Sequence, residues 1–302
     1  MTFRTRFAPS PTGPLHLGHA YSAKRAYDMA AAADGEFLLR IEDIDQGRAR
    51  PEWEAQIYDD LAWLGLSWPQ PVMRQSERRA AYDLVLDSLW SLGCLYPCSC
   101  RRSDISAVLS APQEGVATLG PDGLIYPGTC RSAKNLRSSS RPRTDVVLRL
   151  DFQAALERIS PQTPVDEQVF SFIETGAGPK GETACISFTG QDVISSVGDI
   201  VIARRNMGTS YHLAVVVDDA AQKISHVVRG ADLFEATKIH VVLQRLLNLP
   251  TPHYHHHRLI RDNNNKRLAK RDDARAISQF RAEGMEPKEI YSLLDDCNLN
   301  LK

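Results

Sequence analysis

The residues best suited to chemistry lie near the N-terminus, in the stretch RFAPSPTGPLHLGHA at positions 6–20. His16 and His19 are three positions apart, so both rings lie on one face of the first turn of a helix that is predicted to begin at Leu17. A strand that ends in a turn and leads into a helix presents free backbone N–H groups and the positive end of the helix dipole. The pattern predicts a phosphate site, although two solvated histidines in a proline-rich surface turn would give the same spacing.

Three cysteines form a second group. Cys98 and Cys100 make a C-x-C pair, and Cys130 follows thirty residues later. Thiolates at this spacing suit a tetrahedral zinc ion, but they leave the fourth ligand open, and free buried thiols are the alternative. The other cysteines lie outside the pattern and are expected to be buried or inert: Cys94, Cys185 and Cys297.

Two further polar runs carry weaker signals. HYHHH at positions 253–257 precedes RLI in a predicted strand, where alternate rings point to opposite faces, so we do not expect it to bind a metal ion. Five basic residues between Arg131 and Arg143 could contact a phosphate backbone, or they could form a solvated loop. Neither run decides a function.

The elements that must position these residues begin with a strand, a helix and a second strand. Residues 3–7 alternate between apolar and polar, and residues 17–30 repeat apolar side chains every three or four positions. Gly35 stands where a helix C-cap belongs, and EFLLRIEDID at 36–45 is typical of a strand. This order predicts one half of a doubly wound α/β sheet.

A similar pattern returns far downstream. DIVIAR, YHLAVVVDD and ISHVVRG, which begin at positions 199, 211 and 224, are predicted as strands, and ADLFEATKIHVVLQRLLNL from 231 as a helix. The residues between the two halves are rich in Pro, Gly and Ser, and their apolar period is weak. We therefore predict a first half of the α/β domain at 1–94, an inserted domain at 95–190, a second half at 191–260, and a basic loop with C-terminal helices at 261–302.

Composition limits the class of protein. The chain has 302 residues, of which 43% are hydrophobic and 24% charged, and its formal net charge is −1. No apolar run approaches the roughly 18 residues of a membrane span, and the N-terminus lacks the apolar core of a signal peptide. We expect a cytoplasmic globular protein without a membrane partner, and assume a monomer. The charge argues against holding nucleic acid by overall positive charge, but not by a local basic face.

Five segments resemble the class I aminoacyl-tRNA synthetases, in the form found in glutamyl-tRNA synthetases. FAPSPTGPLHLGHA resembles the family's ATP-binding signature, with HLGH at its centre, and LLRIEDID, YHLAVVVDD, VVRGADL and KRLAKR follow in the family's order. The resemblance covers about residues 4–285. It implies a Rossmann-type α/β catalytic domain that is split by a zinc-binding insertion and followed by a short helical C-terminal region.

The resemblance also implies roles for single residues. His16, His19 and Lys270 would bind ATP, which comes with Mg²⁺, and stabilise the charge that develops as an amino-acid carboxylate attacks the α-phosphate. Five residues would bind glutamate: Arg6 and Arg229 its carboxylate, Tyr211 as hydrogen-bond donor, Glu42 its ammonium group, and Ser10. In KRLAKR, Arg267 and Ala269 replace the family's more usual lysine and serine, and a solvated helix start is the alternative interpretation.

YPCSC and YPGTC resemble the zinc element of small glutamyl-tRNA synthetase paralogues, in which a tyrosine completes the site. This resemblance implies four ligands for a zinc ion: Cys98, Cys100, Tyr126 and Cys130. Three thiolates and one phenolate close the coordination sphere, so the ion would be structural and would stabilise the insertion.

Length separates members of this family. Full glutamyl-tRNA synthetases continue past KRLAKR with helical domains that read the anticodon, whereas this sequence ends about 32 residues later. The small paralogues that it resembles activate glutamate with ATP without tRNA, and transfer it to the queuosine base at the wobble position of tRNA(Asp). The implied partners are glutamate, ATP and the anticodon loop of that tRNA. The alternatives are a shortened glutamyl-tRNA synthetase that charges a terminal ribose, and a paralogue that binds tRNA or glutamate without turnover.

Overall fold

The computed structural model describes residues 2–109, 118–132, 140–143, 146–260 and 275–295. The strands are β1 (Arg4–Phe7), β2 (Glu36–Ile41), β3 (Met73–Arg74), β4 (Leu95–Cys98), β5 (Leu119–Gly120), β6 (Gly123–Leu124), β7 (Val147–Leu150), β8 (Val169–Glu174), β9 (Ala184–Thr189), β10 (Val201–Ala203), β11 (His226–Gly230) and β12 (His253–His257). The helices are α1 (Leu17–Ala32), α2 (Pro51–Trp63), α3 (Arg79–Ser91), α4 (Arg102–Leu109), α5 (Phe152–Ile159), α6 (Gly190–Ser196), α7 (Tyr211–Ala221), α8 (Thr237–Leu246), α9 (Ile277–Ala282) and α10 (Pro287–Asp295).

The N-terminal strands form a parallel sheet in the order β1-β2-β3. Helix α1 connects β1 to β2 and buries a row of alanines against them, at positions 20, 23, 26 and 30. Because alanine side chains are short, the helix backbone lies close to the sheet. The strand, helix and strand predicted for residues 3–45 are confirmed.

A second sheet has the order β11-β12-β8-β9, in which only β9 is antiparallel to its neighbour. It meets the first sheet where β11 lies beside β1, and there the amide of Ser225 donates to the carbonyl of Arg4 at 3.0 Å. From β1 the first sheet continues through β2 and β3 on one side, and from β11 the second sheet continues through β12, β8 and β9 on the other. The strand order thus reverses between β1 and β11. In open α/β sheets, ligands bind beyond the carboxyl ends of the strands at such a point.

The loop after β8 packs tightly against β12. The amide of Ala177 donates to the carbonyl of His256 at 3.1 Å. A Cβ atom at Gly176 would lie 2.2 Å from that same carbonyl oxygen. Only glycine fits at position 176 unless β12 moves away.

The middle of the chain forms an antiparallel sheet in the order β10-β7-β4, and β5 and β6 form a hairpin. Strands β8 and β9 fall within the segment predicted as an insertion, residues 95–190, yet they belong to the second sheet beside β12. Strand β10, from the predicted second half, pairs instead with β7. The domain boundaries proposed from the sequence stay predictions.

The prediction of a strand for YHLAVVVDD is wrong, because these residues form the first part of α7. Ser210 caps this helix, and its hydroxyl accepts a hydrogen bond from the amide of Leu213 at 3.4 Å. The helix is buried on most sides, so its apolar run has no polar face that would reveal a helical period. Tyr211 therefore lies in the first turn of a helix.

The other downstream predictions hold better. DIVIAR contains β10, ISHVVRG contains β11, and HYHHH is β12. The helix predicted from position 231 begins as a 3-10 turn, Ala231–Leu233, and continues as α8. Two helices, α9 and α10, follow near the C-terminus, as predicted.

Two large apolar cores support the parallel sheets. One packs the first sheet against α1, α2, α9 and α10, and the other packs the second sheet against α3, α5, α7 and α8. A third buried cluster among the described residues is much smaller: Tyr96, Cys98, Ile105 and Tyr126. Within the described ranges, no helix has the length and apolar character needed to cross a bilayer.

Candidate functional site

A cavity of about 240 Å³ opens beyond the carboxyl ends of β1, β11 and β12, beside the first turn of α1. Its walls include six of the predicted site residues: Arg6, His16, His19, Glu42, Tyr211 and Arg229. Ser10 is exposed and lines an adjoining cavity of about 350 Å³, which shares Glu42 and Tyr211 with the first. The sheets thus bring residues from both halves of the chain to one place.

The start of α1 fixes both histidines. His16 precedes the helix, and its Nδ1 accepts a hydrogen bond from the amide of Gly18 at 3.1 Å. The amide of His16 in turn donates to Nδ1 of His19 at 3.2 Å, and the two ring centres are 3.8 Å apart. Since both Nδ1 atoms accept, the proton of each neutral ring lies on Nε2, which can donate to a phosphate oxygen.

Arg6 is held by a carboxylate. Its Nε and Nη2 donate to the two carboxylate oxygens of Asp219 at 3.0 and 3.2 Å. Arg40, which is fully buried, donates to the same Asp219 at 2.7 Å and to Glu42 at 3.1 Å. The four side chains form a buried network in which two guanidinium groups meet two carboxyl groups.

The two carboxyl groups of this network differ in their ionisation. Burial raises the pKa of Asp219, but Arg6 and Arg40 outweigh burial and leave that pKa below its ordinary value. For Glu42, burial dominates, so its pKa is raised even though Arg40 lies beside it. An ammonium group in the cavity would favour the ionised form of Glu42.

Among the described residues, no carboxylate contacts Arg229, at the end of β11. Its Nε donates to Nε2 of His256 at 3.1 Å, and its Nη1 to Nδ1 of His240 at 3.0 Å. Its Nη2 donates to the hydroxyl of Thr237 at 2.7 Å and to the carbonyl of Leu233 at 3.2 Å. Within the described residues, the charge of this guanidinium is therefore not offset by a carboxylate in contact with it.

The three predicted cysteine ligands lie together where β4 ends and after β6. The Sγ atoms of Cys98, Cys100 and Cys130 all lie within 4.8 Å of one another. The Tyr126 hydroxyl lies 3.5 Å from Sγ of Cys98 and 3.3 Å from Sγ of Cys100. Tetrahedral zinc holds thiolates at about 2.3 Å, which places sulfur atoms about 3.8 Å apart. The three thiols and the phenol fit such an ion. Sγ of Cys100 and Sγ of Cys130 are 3.5 Å apart, too far for a disulfide.

Arg149 on β7 adds a positive charge to this cluster, which sequence reasoning missed. Its Nε donates to Sγ of Cys98 at 3.3 Å, and its guanidinium lies 3.7 Å from the centre of the Tyr126 ring. Burial raises the pKa of the Cys130 thiol, but hydrogen bonds with Tyr126 and Ser99 outweigh burial and lower that pKa to about 6. A thiol that ionises near neutral pH suits a metal ligand.

The histidines of β12 point to opposite faces of the sheet, as predicted. His255 lies toward α1, where its Nε2 accepts a hydrogen bond from Nε of Arg25 at 3.3 Å. His256 lies on the other face, against Arg229 and Glu174. His256 thus contributes to the site as a partner of Arg229.

The described members of the basic stretch between 131 and 143 form ion pairs. Arg131 contacts Asp199 at 2.9 Å, and Arg141 contacts Asp83 and Asp87, each at 2.7 Å. These pairs use charge that could otherwise meet a phosphate backbone.

Some predictions fall outside the described residues, namely those for Lys270, Arg267, Ala269 and Cys297. Of the other cysteines, Cys94 is buried and Cys185 is exposed. Sequence reasoning missed four residues that hold the site arginines: Arg40, Asp219, His240 and His256. The paired acidic residues that end VVVDD were the one local signal for Asp219.

The chain is similar to known proteins over nearly its whole length. Residues 2–296 match the family model described as tRNA synthetases class I (E and Q), catalytic domain. A glutamyl-Q tRNA(Asp) synthetase from Rhodobacter capsulatus is 56% identical over 291 residues, which cover 96% of this chain and 99% of the relative. Another from Symbiobacterium thermophilum is 37% identical over 297 residues, which cover 96% of this chain and 84% of the relative.

Solved structures share the fold. A glutamate tRNA ligase from Elizabethkingia meningosepticum, in complex with its amino acid, matches with a TM-score of 0.70 at 24% identity, over 97% of this chain and 60% of that one. A methionyl-tRNA synthetase from Mycobacterium tuberculosis matches with a TM-score of 0.57 at 11% identity, over 97% of this chain and 64% of that one. The chain thus spans less than two thirds of either protein, and the likeness concerns the fold. The predicted fold class is confirmed.

Proposed function

Because the chain belongs to the class I tRNA synthetases (E and Q), and within them to the glutamyl-Q tRNA(Asp) synthetases, we propose that it activates glutamate with ATP in the absence of tRNA. It then transfers the glutamyl group to the queuosine base at the wobble position of tRNA(Asp). The chain is an enzyme of the ligase type, and we propose that it acts as a monomer in the cytoplasm.

One observation carries this proposal: a single cavity joins an anion site at the start of α1 to a pocket in which Arg229 has no carboxylate contact among the described residues. Arg6 and Arg40 contact Asp219 and Glu42, whereas Arg229 contacts only histidines, a hydroxyl and a carbonyl among the described residues. Glutamate carries two carboxylates and one ammonium group, so a guanidinium without a carboxylate contact and the carboxyl group of Glu42 complement it.

In the proposed activation step, a carboxylate oxygen of glutamate attacks the α-phosphorus of ATP, and the bond from that phosphorus to pyrophosphate breaks. His16 and His19 donate from Nε2 to the phosphate oxygens, and the positive end of the α1 dipole lies behind them. The resemblance to the family assigns Lys270 to the phosphates as well. Magnesium enters with ATP as part of that substrate. No protein nucleophile is needed, since positioning and charge stabilisation carry such a reaction.

The same proposal assigns the amino-acid contacts. Arg6 and Arg229 attract the carboxylates, and Glu42 receives the ammonium group. Burial raises the pKa of Tyr211, so its hydroxyl stays protonated and can donate a hydrogen bond. Ser10 lines the adjoining cavity, next to Glu42 and Tyr211.

In the proposed transfer step, a hydroxyl of the cyclopentene ring of queuosine attacks the carbonyl carbon of glutamyl-adenylate. The bond to AMP breaks, AMP leaves with the electron pair, and the hydroxyl proton is released. Recognition of a single base in an RNA loop requires that the base leave its stack, and the anticodon loop allows this.

Zinc is the proposed metal of the cysteine cluster. Cys98, Cys100, Tyr126 and Cys130 would hold it, and four protein ligands leave no open position for a substrate or a reactive water. When bound, the ion would tie the end of β4 to the segment after β6. Its role is therefore proposed to be structural.

The test is transfer of labelled glutamate, with ATP, onto two preparations of tRNA(Asp) that differ only in carrying queuosine or guanine at the wobble position. We expect label on the queuosine form alone. Label on both forms would instead indicate charging of a terminal ribose. Glutamate-dependent exchange between pyrophosphate and ATP, measured in parallel, reports the activation step by itself; loss of exchange and transfer together would indicate a binding protein without turnover.

A further inference from the structure

Arg229 is linked to a carboxylate through one histidine on β12. His256 accepts the hydrogen bond of Arg229 through Nε2, and its Nδ1 lies 2.5 Å from Oε2 of Glu174 on β8. The other oxygen of Glu174 accepts hydrogen bonds from two backbone amides, those of Gly176 and His256. The carboxylate is thus fixed, but the imidazole ring separates it from the guanidinium.

A second chain of hydrogen bonds leaves Arg229 through α8. His240 accepts from Arg229 through Nδ1, and its Nε2 lies 3.1 Å from Nδ1 of His212 on α7. The Nε2 of His212 is 3.3 Å from a carboxylate oxygen of Asp122, in the turn between β5 and β6. Here two rings lie between the guanidinium and the carboxylate.

One arrangement of protons satisfies both chains. A guanidinium can only donate, so Nε2 of His256 and Nδ1 of His240 must carry lone pairs. The remaining ring protons then point outward, toward Glu174 and His212. Burial, followed for His240 by the charge of Arg229, lowers the pKa of both histidines, and both rings are neutral at neutral pH.

We infer that these two histidine chains are positioning groups that hold Arg229 in place while leaving its charge unneutralised, and that they thereby set the affinity for a carboxylate of the amino-acid substrate. The contrast is Arg6, whose guanidinium meets both oxygens of Asp219 directly. This inference rests on the proposed function, in which Arg229 binds a carboxylate of glutamate.

The test uses a pair of substitutions with nearly the same shape, His240→Asn and His240→Asp. Either side chain can place an oxygen near the position of Nδ1 and accept the hydrogen bond from Arg229, but only His240→Asp brings a negative charge into contact with it. The KM for glutamate and the KM for ATP are measured by exchange between pyrophosphate and ATP. We expect the KM for glutamate to be about tenfold or more higher for His240→Asp than for His240→Asn, because an adjacent carboxylate competes with the substrate.

The KM for ATP separates positioning from general damage. It should differ between the two variants by no more than about twofold, since the phosphate site lies at the other end of the cavity. A role that is only structural predicts the opposite ranking or none, because His240→Asp would gain a buried ion pair. Equal KM values for glutamate in the two variants would overturn the inference.

A second pair of variants, at position 237, tests the same inference if the variants at position 240 do not fold. Thr237 accepts from Nη2 of Arg229 and stands in the first turn of α8, where a carboxylate is favourable to the helix. Thr237→Asp should therefore fold, and should again raise the KM for glutamate above that of Thr237→Asn. If both variants at 240 lose their cooperative unfolding transition, this pair decides.

The inference and the proposed function fail in different ways. Wild-type protein without glutamate-dependent exchange would overturn the proposed function, and the inference with it. If the wild-type protein shows exchange but the Asn and Asp variants have the same KM for glutamate at both position 240 and position 237, the inference alone is overturned.

Discussion

The substrate cavity and the cysteine cluster are both groups of polar residues, but the protein holds them in different ways. The cavity residues come from β1, β11, α1 and α7, elements that are anchored in the two large apolar cores. In the cluster, Cys98 ends β4 and the other three predicted ligands lie outside the strands and helices, and the surrounding core has only four buried members among the described residues. Two of these, Cys98 and Tyr126, are themselves proposed metal ligands.

This difference indicates where each site obtains its order. Packing of sheets and helices positions the cavity before any ligand arrives, so its arginines and carboxylates already form hydrogen bonds with each other. The cluster has little apolar support, so we expect its order to depend on a bound ion. The two regions should therefore respond differently to the same kind of damage.

The largest effect is expected for Cys130→Ser, which removes one thiolate from the cluster. Bound zinc should fall from about one ion per chain to nearly none, and the segment from 95 to 132 should become sensitive to protease. Glutamate activation should fall by less than about tenfold, since other cores hold the cavity. Metal analysis, limited proteolysis and pyrophosphate exchange measure these three outcomes.

Cys185→Ser is the matched control for this variant, because Cys185 is exposed on β9 and outside the cluster. It should keep its zinc. An unchanged metal content in Cys130→Ser would refute the zinc assignment.

Arg229→Ala tests the substrate cavity. Removing a buried cation that pairs with a substrate carboxylate should lower kcat/KM for glutamate by about a hundredfold or more, while zinc content and circular dichroism stay unchanged. Arg245→Ala, on the exposed face of α8, is the control. Normal activation by Arg229→Ala would remove that residue from the site.

Acid should weaken the sheets that support the cavity. Burial, with the charge of Arg25 added to it, lowers the pKa of His255 to about 4. Between about pH 6.5 and 4 the unfolded chain therefore binds a proton at this residue that the folded chain does not, so the free energy of unfolding falls as pH falls, by up to about 3 kcal/mol. The stability is present above pH 6.5 and is lost on the acid side.

Urea unfolding at several pH values measures this effect, with His255→Asn as the comparison. The variant should show a smaller loss of stability between neutral pH and pH 4.5, since it lacks the titrating ring. Parallel curves for the two proteins would exclude His255 as a source of acid sensitivity.

The smallest effect is expected for Tyr211→Phe. The substitution removes one hydrogen bond to substrate, which is worth about 1 kcal/mol, so the KM for glutamate should rise about fivefold. Zinc content should not change. An unaltered KM would mean that the Tyr211 hydroxyl does not contact glutamate.

The features that could be predicted from the sequence are those with local signals. His16 and His19 mark a helix start through residue type and spacing alone, and Cys98 and Cys100 stand within one tripeptide. Such patterns survive in a single sequence because the chain geometry between neighbours is nearly fixed. The fold class followed for the same reason, from alternating strands and helices.

The partners of the arginines could not be predicted in this way. Asp219 lies 213 positions from Arg6, and His256 lies 27 positions from Arg229, so their contacts exist only once the sheets have assembled. The same burial hid α7, because a helix that is apolar on most sides resembles a buried strand in sequence. The side chains that hold the predicted site residues in place could therefore not be predicted from the sequence.

Gly176 is another residue that holds the site in place, although it has no side chain. A methyl group there would collide with the carbonyl of His256, and moving that residue would shift the ring that holds Arg229. A protein with every reactive group intact could thus lose its substrate through the gain of one carbon atom. A mutational scan scored by activity should mark Gly176 as strongly as a residue in contact with glutamate, although what it contributes is empty space.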